Sequence, residues 1–137
     1  MTEYEIIDAL CDSVNPILFF IAIGVGIENL VKKKFKNTAI VFGLLLVGLL
    51  LVYGMLFVDI KLKIWEFFGS DYSTHTAFAI ATCIAISTGK PWFKWLFMVL
   101  LVYVIAMLYQ DYHSAWDIVL TSVVIGGPLL LIRKYLC

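Results

Sequence analysis

Charge is scarce in this sequence. Only 15% of its 137 residues are charged against 63% that are hydrophobic, and the mean hydropathy is +0.99; an ordinary soluble domain carries about 25% charged residues. That shortage excludes a water-exposed globular fold. Ten basic residues stand against ten acidic ones, and a balanced charge removes the electrostatic argument for a nucleic-acid partner. Arginine is almost missing, with Arg133 alone. Cysteine is equally sparse: Cys11, Cys83 and Cys137 form neither a disulfide framework nor a metal-ligand spacing. The N-terminal stretch from Met1 to Asp12 holds Glu3, Glu5, Asp8 and Asp12 but no Lys or Arg. The basic start of a cleaved secretory signal is therefore absent, and the segment reads as retained. Internal repeats, low-complexity tracts and long linkers are also lacking, which leaves one domain over residues 1–137.

What is present is apolar sequence in lengths suited to a bilayer. Residues 38–58 contain no charge, and at 1.5 Å per residue such a run crosses a hydrocarbon core of about 30 Å. Residues 15–31 are apolar except for Glu28 and Asn29 near their end, where Glu28 can pair with Lys32 one helical turn on. Residues 75–88, 95–109 and 116–132 are shorter spans, bounded by polar or aromatic residues, and short spans are accommodated by thinning of the bilayer or sinking of helix ends. The expected fold is all-α, a polytopic membrane bundle of about five transmembrane helices. Thr2 to Cys11 reads as a short amphipathic helix with Thr2 and Glu5 at capping-box spacing and Ile6, Ile7 and Leu10 on one side. It either lies on the membrane surface or extends the first span. Gly126 and Gly127, ahead of Pro128, suit close helix packing more than a kink.

Basic residues set the expected orientation, because loops rich in Lys and Arg stay on the cytoplasmic side. Lys32, Lys33, Lys34, Lys36, Lys90, Lys94, Arg133 and Lys134 fall on one face of a five-span chain, and only Lys61 and Lys63 on the other. The N-terminus is then outside and the C-terminus inside, with residues 59–74 and 110–115 in outer loops. Trp65, Trp92, Trp95, Trp116, Tyr4, Tyr109 and Tyr112 sit near span ends and read as interfacial anchors. The Lys32 to Lys36 cluster could meet anionic lipid, although its part in orientation already accounts for it.

Both histidines belong to the outer loops or their edges. His75 opens the third span and His113 precedes the fifth. Asp117 follows His113 by four residues, so a helix that starts early puts the carboxylate and imidazole on one face. There the carboxylate can fix the tautomer of His113 and stabilise its cationic form. Ser73 occupies a helix-cap position, and the first N–H groups of the third span would attract an anion beside His75. Lys61 and Lys63 are the cations of this face. A metal set of His75, His113, Asp117 and Asp111 is compatible in ligand type but lacks a recognised spacing. Asp71 and Asp111 read as solvated loop residues.

The stretch Ser73-Thr74-His75-Thr76-Ala77-Phe78-Ala79, the turn Lys90-Pro91-Trp92-Phe93-Lys94 and the run His113-Ser114-Ala115-Trp116-Asp117-Ile118-Val119-Leu120 with Gly126-Gly127 resemble the type-2 phosphatidic acid phosphatase superfamily. The similarity covers residues 61–127, in the family's order. Its second motif reads P-S-G-H and its third S-R-x5-H-x3-D, after a first motif K-x6-R-P. The resemblance implies His113 as the nucleophile that takes the phosphoryl group, Asp117 as its orienting partner and His75 as the acid that protonates the leaving oxygen. Ser73, Thr74, Lys61 and Lys63 would bind phosphate, with no metal or other cofactor. It departs at Ala106-Met107, where the family has Ser-Arg, at Phe68-Gly69 in place of Arg-Pro, and at Tyr72 and Thr74 in place of Pro and Gly. The phosphate clamp then rests on lysines, which are point charges without the planar fork of arginine.

The expectation is a lipid phosphate or diphosphate phosphatase or phosphotransferase, acting through a phosphohistidine at the outer face of a bacterial-type cytoplasmic membrane. Its substrate would be a phosphatidate-like or polyprenyl lipid drawn from the bilayer. The alternatives are a catalytically degenerate relative that binds lipid headgroups or acts as a regulatory membrane module, and a small pore-forming or lysis protein. A second subunit closing the bundle is an alternative to a lateral opening for substrate.

Overall fold

The computed structural model describes residues 2–88, 93–111 and 113–136. The Lys90-Pro91-Trp92 part of the basic turn, the Phe93 side chain, the Tyr112 anchor, Met1 and Cys137 lie outside the described residues. The described residues form six helices: α1 (Glu3–Val31), α2 (Phe35–Leu62), α3 (Ile64–Phe67), α4 (Thr74–Ile86), α5 (Phe93–Tyr109) and α6 (Ala115–Leu136). No strand occurs among the described residues. Each expected span falls on one helix, except that α4 stops at Ile86, just before the expected end at Thr88. Among the described residues three helices, α1, α2 and α6, are long and apolar enough to cross a membrane. At 1.5 Å per residue α4 and α5 are only about 20 and 25 Å long.

The N-terminal amphipathic stretch and the first span are one continuous helix. Its start is held by a complete capping box, in which Thr2 Oγ1 accepts from the Glu5 N–H at 3.3 Å and Glu5 Oε2 accepts from the Thr2 N–H at 2.7 Å. Pro16 lies inside this helix and, having no N–H, leaves the carbonyl four residues earlier without its usual intrahelical donor. At the far end the chain reverses through Lys32 to Lys34, with Lys33 at φ 57° and the Lys34 N–H on the Asn29 carbonyl at 2.8 Å. Glu28 and Lys32 form the expected ion pair, at 2.6 Å.

Helix α4 is the centre of the bundle and touches α1, α2, α5 and α6. Its C-terminal half is buried all round, from Ala81 to Ile86, and its small side chains let neighbouring helices approach closely. A Cβ added at Gly48 of α2 would stand 3.0 Å from Ala81 Cβ, and one at Gly126 of α6 would stand 3.3 Å from Ile80 Cγ2. Gly126 is therefore a packing glycine, whereas Gly127 has open space around it. Helix α5 stands at the rim, with Trp95, Phe97, Val102 and Ile105 exposed. An apolar outer surface of this kind suits lipid rather than water.

Trp65 corrects the reading of the tryptophans. It is only 1% exposed and packs edge-on against Tyr72 with ring centroids 4.8 Å apart, so it belongs to the core beneath the α2–α4 connection and is no interfacial anchor. Trp95, Trp116, Tyr4 and Tyr109 are exposed near helix ends, as anchors would be.

The two ends of the bundle differ in charge. Glu3, Glu5, Asp8, Asp12, Asp59, Glu66, Asp71, Asp111 and Asp117 gather with both histidines, Lys61 and Lys63 at one end. Glu28 and the other described Lys and Arg residues lie at the opposite end, where Arg133 Nη2 donates to the Ser87 carbonyl behind α4 at 3.1 Å.

Candidate functional site

The site at the histidine end is built on Asp117. Ser114 precedes α6, and its N–H donates to Asp117 Oδ2 at 3.0 Å while Ser114 Oγ accepts from the Asp117 N–H at 3.2 Å. This reciprocal pair is a capping arrangement, and it turns the carboxylate back over the start of the helix. His113, the residue before Ser114, thereby meets it: Nδ1 lies 3.4 Å from Asp117 Oδ2, the length of a loose hydrogen bond. The two side chains are 17% and 8% exposed.

The other carboxylate oxygen is held from a distant part of the chain. Ser70 Oγ donates to Asp117 Oδ1 at 2.8 Å and the Asp71 N–H donates to the same atom at 2.9 Å. Ser70 is buried, and the left-handed Gly69 beside it, at φ 68°, makes the turn that aims it. One helical turn deeper, the Ser73 N–H donates to Thr121 Oγ1 at 3.2 Å. These bonds tie the connection between α3 and α4 to α6. Tyr72 adds a further tie, its hydroxyl donating to the Val52 carbonyl of α2 at 2.7 Å. Burial first, and then nearby Asp59 and Tyr53, push that hydroxyl well above the ordinary tyrosine value, so it remains a neutral donor.

The remaining candidate residues take other positions. His75 is exposed in the first turn of α4, and its Nε2 lies 3.7 Å from Asp12 Oδ1 of α1. Ser73 caps α4 and is fully buried, with its hydroxyl donating to Thr76 Oγ1 at 2.8 Å and accepting from the Thr76 N–H at 3.2 Å. Thr74 begins α4 and, with His75, lines a cleft against α1 and α2. Lys63, at φ 51°, ends α2 and pairs with Glu66 at 3.7 Å. Lys61 Nζ stands 5.8 Å from the Phe57 ring centroid. Asp71 and Asp111 are exposed, as expected, although the Asp71 backbone serves Asp117. Among the described residues no three His, Cys, Asp or Glu side chains converge as a metal set.

Two contributors escaped the sequence reading. Ser114 was detectable, because Ser114-Ala115-Trp116-Asp117 has the spacing already noted for Thr2 and Glu5. Ser70 carried no local signal: its partner is 47 residues away. No protein-family model matches this chain, and no curated protein or solved structure does either.

Proposed function

We propose that this chain is a five-span membrane protein, N-terminus outside and C-terminus inside, that removes or transfers the phosphoryl group of a lipid phosphate or diphosphate at its outer face. The observation that carries this reading is the His113–Asp117 pair. A carboxylate that accepts from Ser70 Oγ, the Asp71 N–H and the Ser114 N–H is fixed in place, so the nearby Nδ1 is the anchored side of His113 and Nε2 is the nitrogen left to attack. The charge distribution supports the orientation, since basic residues cluster at the end opposite the histidines.

In this reaction Nε2 of His113 attacks phosphorus. An N–P bond forms as the bond to the lipid oxygen breaks, and that oxygen takes a proton from His75 or from a water. Water then attacks the phosphohistidine, releasing phosphate and regenerating the imidazole; an acceptor alcohol in place of water gives transfer. Asp117 holds the Nδ1 proton throughout, as the buried carboxylate of a catalytic triad does. The phosphate contacts are assigned to Lys61, Lys63, Thr74 and the N-terminal N–H groups of α4 rather than to the Ser73 hydroxyl, which is spent on Thr76.

The test is phosphate release by the purified chain in lipid nanodiscs, with phosphatidate and a polyprenyl diphosphate as substrates. His113→Ala is expected to lose at least about a hundred-fold in rate, the scale of removing a nucleophile or its base. Wild-type rates in His113→Ala would end the proposal. A second reading, headgroup binding without turnover by a regulatory membrane module, is favoured by a specific observation: among the described residues no Lys or Arg pairs with the dyad. A phosphoryl group trapped on His113 would eliminate it.

A further inference from the structure

Helices α1 and α2 are joined by a tight turn at the lysine end and pack closely there, Phe42 filling the space over Gly26. Toward the histidine end they part around a cleft of about 530 Å³ floored by α4, a volume within the range of small-molecule pockets. Thr74 and His75 of α4, already assigned to the phosphate and to the leaving oxygen, stand at its outer level with Tyr53 of α2. One helical turn deeper, about 5.4 Å on, α1, α2 and α4 present Phe19, Leu49 and Phe78. Phe20 is 71% and Tyr53 53% exposed, so the cleft also opens sideways, where the proposed spans meet the bilayer.

The step from polar to apolar is abrupt. Asn15 borders the cleft as well, but its amide is closed to a ligand: Nδ2 donates to the His75 carbonyl at 3.3 Å and Oδ1 is buried. Phe19, Leu49 and Phe78 carry no hydrogen-bonding side-chain group at all. The cleft of about 430 Å³ between α5 and α6 lacks this layering, being lined by apolar side chains except Cys83 and Ser122, and it suits a lipid chain of any kind.

The chemistry of the ligand follows from that spacing. In a glycerolipid phosphate the ester carbonyls lie several bonds from phosphorus. With the phosphate at Thr74 and His75 they would descend among the three apolar side chains, where a carbonyl loses water and finds no donor. A hydrocarbon chain bonded directly to the phosphate oxygen puts only carbon and hydrogen there, and burying those groups is favourable. We propose that this cleft binds a lipid phosphate whose hydrocarbon chain is bonded directly to the phosphate oxygen, an alkyl or prenyl phosphate, with its first carbons between Phe19, Leu49 and Phe78 and the rest running out past Phe20. Glycerolipid phosphates are the poorer ligands. This deepens the catalytic reading and rests on it for the phosphate contacts of Thr74 and His75. The oxygen that leaves is the one bonded to the chain, so a chain lying below His75 sets that oxygen beside the acid assigned to protonate it.

The experiment uses the full chain in phosphatidylcholine nanodiscs and a long-chain alkyl phosphate carrying a diazirine close to its phosphate, with cross-linked residues mapped by mass spectrometry. Labels are expected on Phe19, Leu49 and Phe78 in preference to Phe97 and Val123 of the α5–α6 cleft. An unlabelled alkyl phosphate should compete about ten-fold better than a lysophosphatidate of equal chain length, the scale of leaving one buried carbonyl unpaired. Leu49→Asn, which supplies an amide donor at the deeper level, should narrow that gap. Leu49→Trp, which fills the cleft, should abolish the labelling preference; circular dichroism and thermal unfolding in detergent verify that both variants fold. Equal labelling of the two clefts would mean ordinary annular lipid and overturn the proposal. So would a lysophosphatidate that competes as well as the alkyl phosphate. Phosphate release separates this proposal from the catalytic reading. No release from any substrate, with the order of competition intact, would defeat the catalysis and leave the cleft its ligand. Release from phosphatidate as fast as from the alkyl phosphate would defeat the ligand assignment and leave the catalysis.

Discussion

The two histidines stand at the same end of the bundle, each beside a carboxylate, yet they occupy opposite physical regimes. His113 and Asp117 are 17% and 8% exposed, and Asp117 is held by Ser70, Asp71 and Ser114. His75 and Asp12 are 46% and 62% exposed, and Nε2 of the one lies 3.7 Å from Oδ1 of the other. An exposed ion pair contributes between about 0 and 1 kcal/mol, since water screens it and side-chain entropy opposes it. Removing a buried acceptor that serves several donors strands each donor in turn. Similarity of composition therefore says little: the scaffold around a carboxylate, rather than the imidazole beside it, decides whether a pair is a fixed device or a mobile one.

That contrast can be broken experimentally. Asp117→Ala should have the largest effect, a loss of about 3 kcal/mol or more in unfolding from detergent, because the buried Ser70 hydroxyl and two backbone N–H groups lose their acceptor together. Asp117→Asn separates structure from chemistry. Its amide keeps one carbonyl oxygen for Ser70 and Asp71, so about 1–2 kcal/mol is lost, while any phosphate release falls far more steeply because an amide cannot hold the Nδ1 proton in the same way. Ser70→Ala should cost about 1 kcal/mol, and hydrogen exchange at the Asp71 amide should rise as the connection to α6 loosens. Asp12→Asn should come last, within about 0.5 kcal/mol of the wild type. If Asp12→Asn proved as damaging as Asp117→Asn, the distinction between the two pairs would fail.

The legibility of the molecule follows the range of the forces involved. The Thr2–Glu5 cap and the Glu28–Lys32 pair are contacts within four residues that helical geometry alone predicts; His113 also meets Asp117, but from outside α6, which starts at Ala115 rather than earlier, because the Ser114 cap turns the carboxylate back. Trp65 was misread because an aromatic residue near a span end looks the same whether it anchors in headgroups or turns inward onto Tyr72. The short helix α3 left no pattern because four residues are too few to show a period.

The apolar runs and their periodic interruptions determined by themselves that this chain is helical and rich in lengths suited to a bilayer, since hydrophobic transfer and backbone hydrogen bonding act along contiguous sequence. Only the tertiary structure decided that Ser70 reaches Asp117, that Ser73 is spent on Thr76 and that α1 and α2 part above Phe19 and Leu49. Those outcomes depend on how closely small residues such as Gly48 and Ala81 let helices approach. Packing couples positions tens of residues apart, and no local pattern in the chain records which of them will meet.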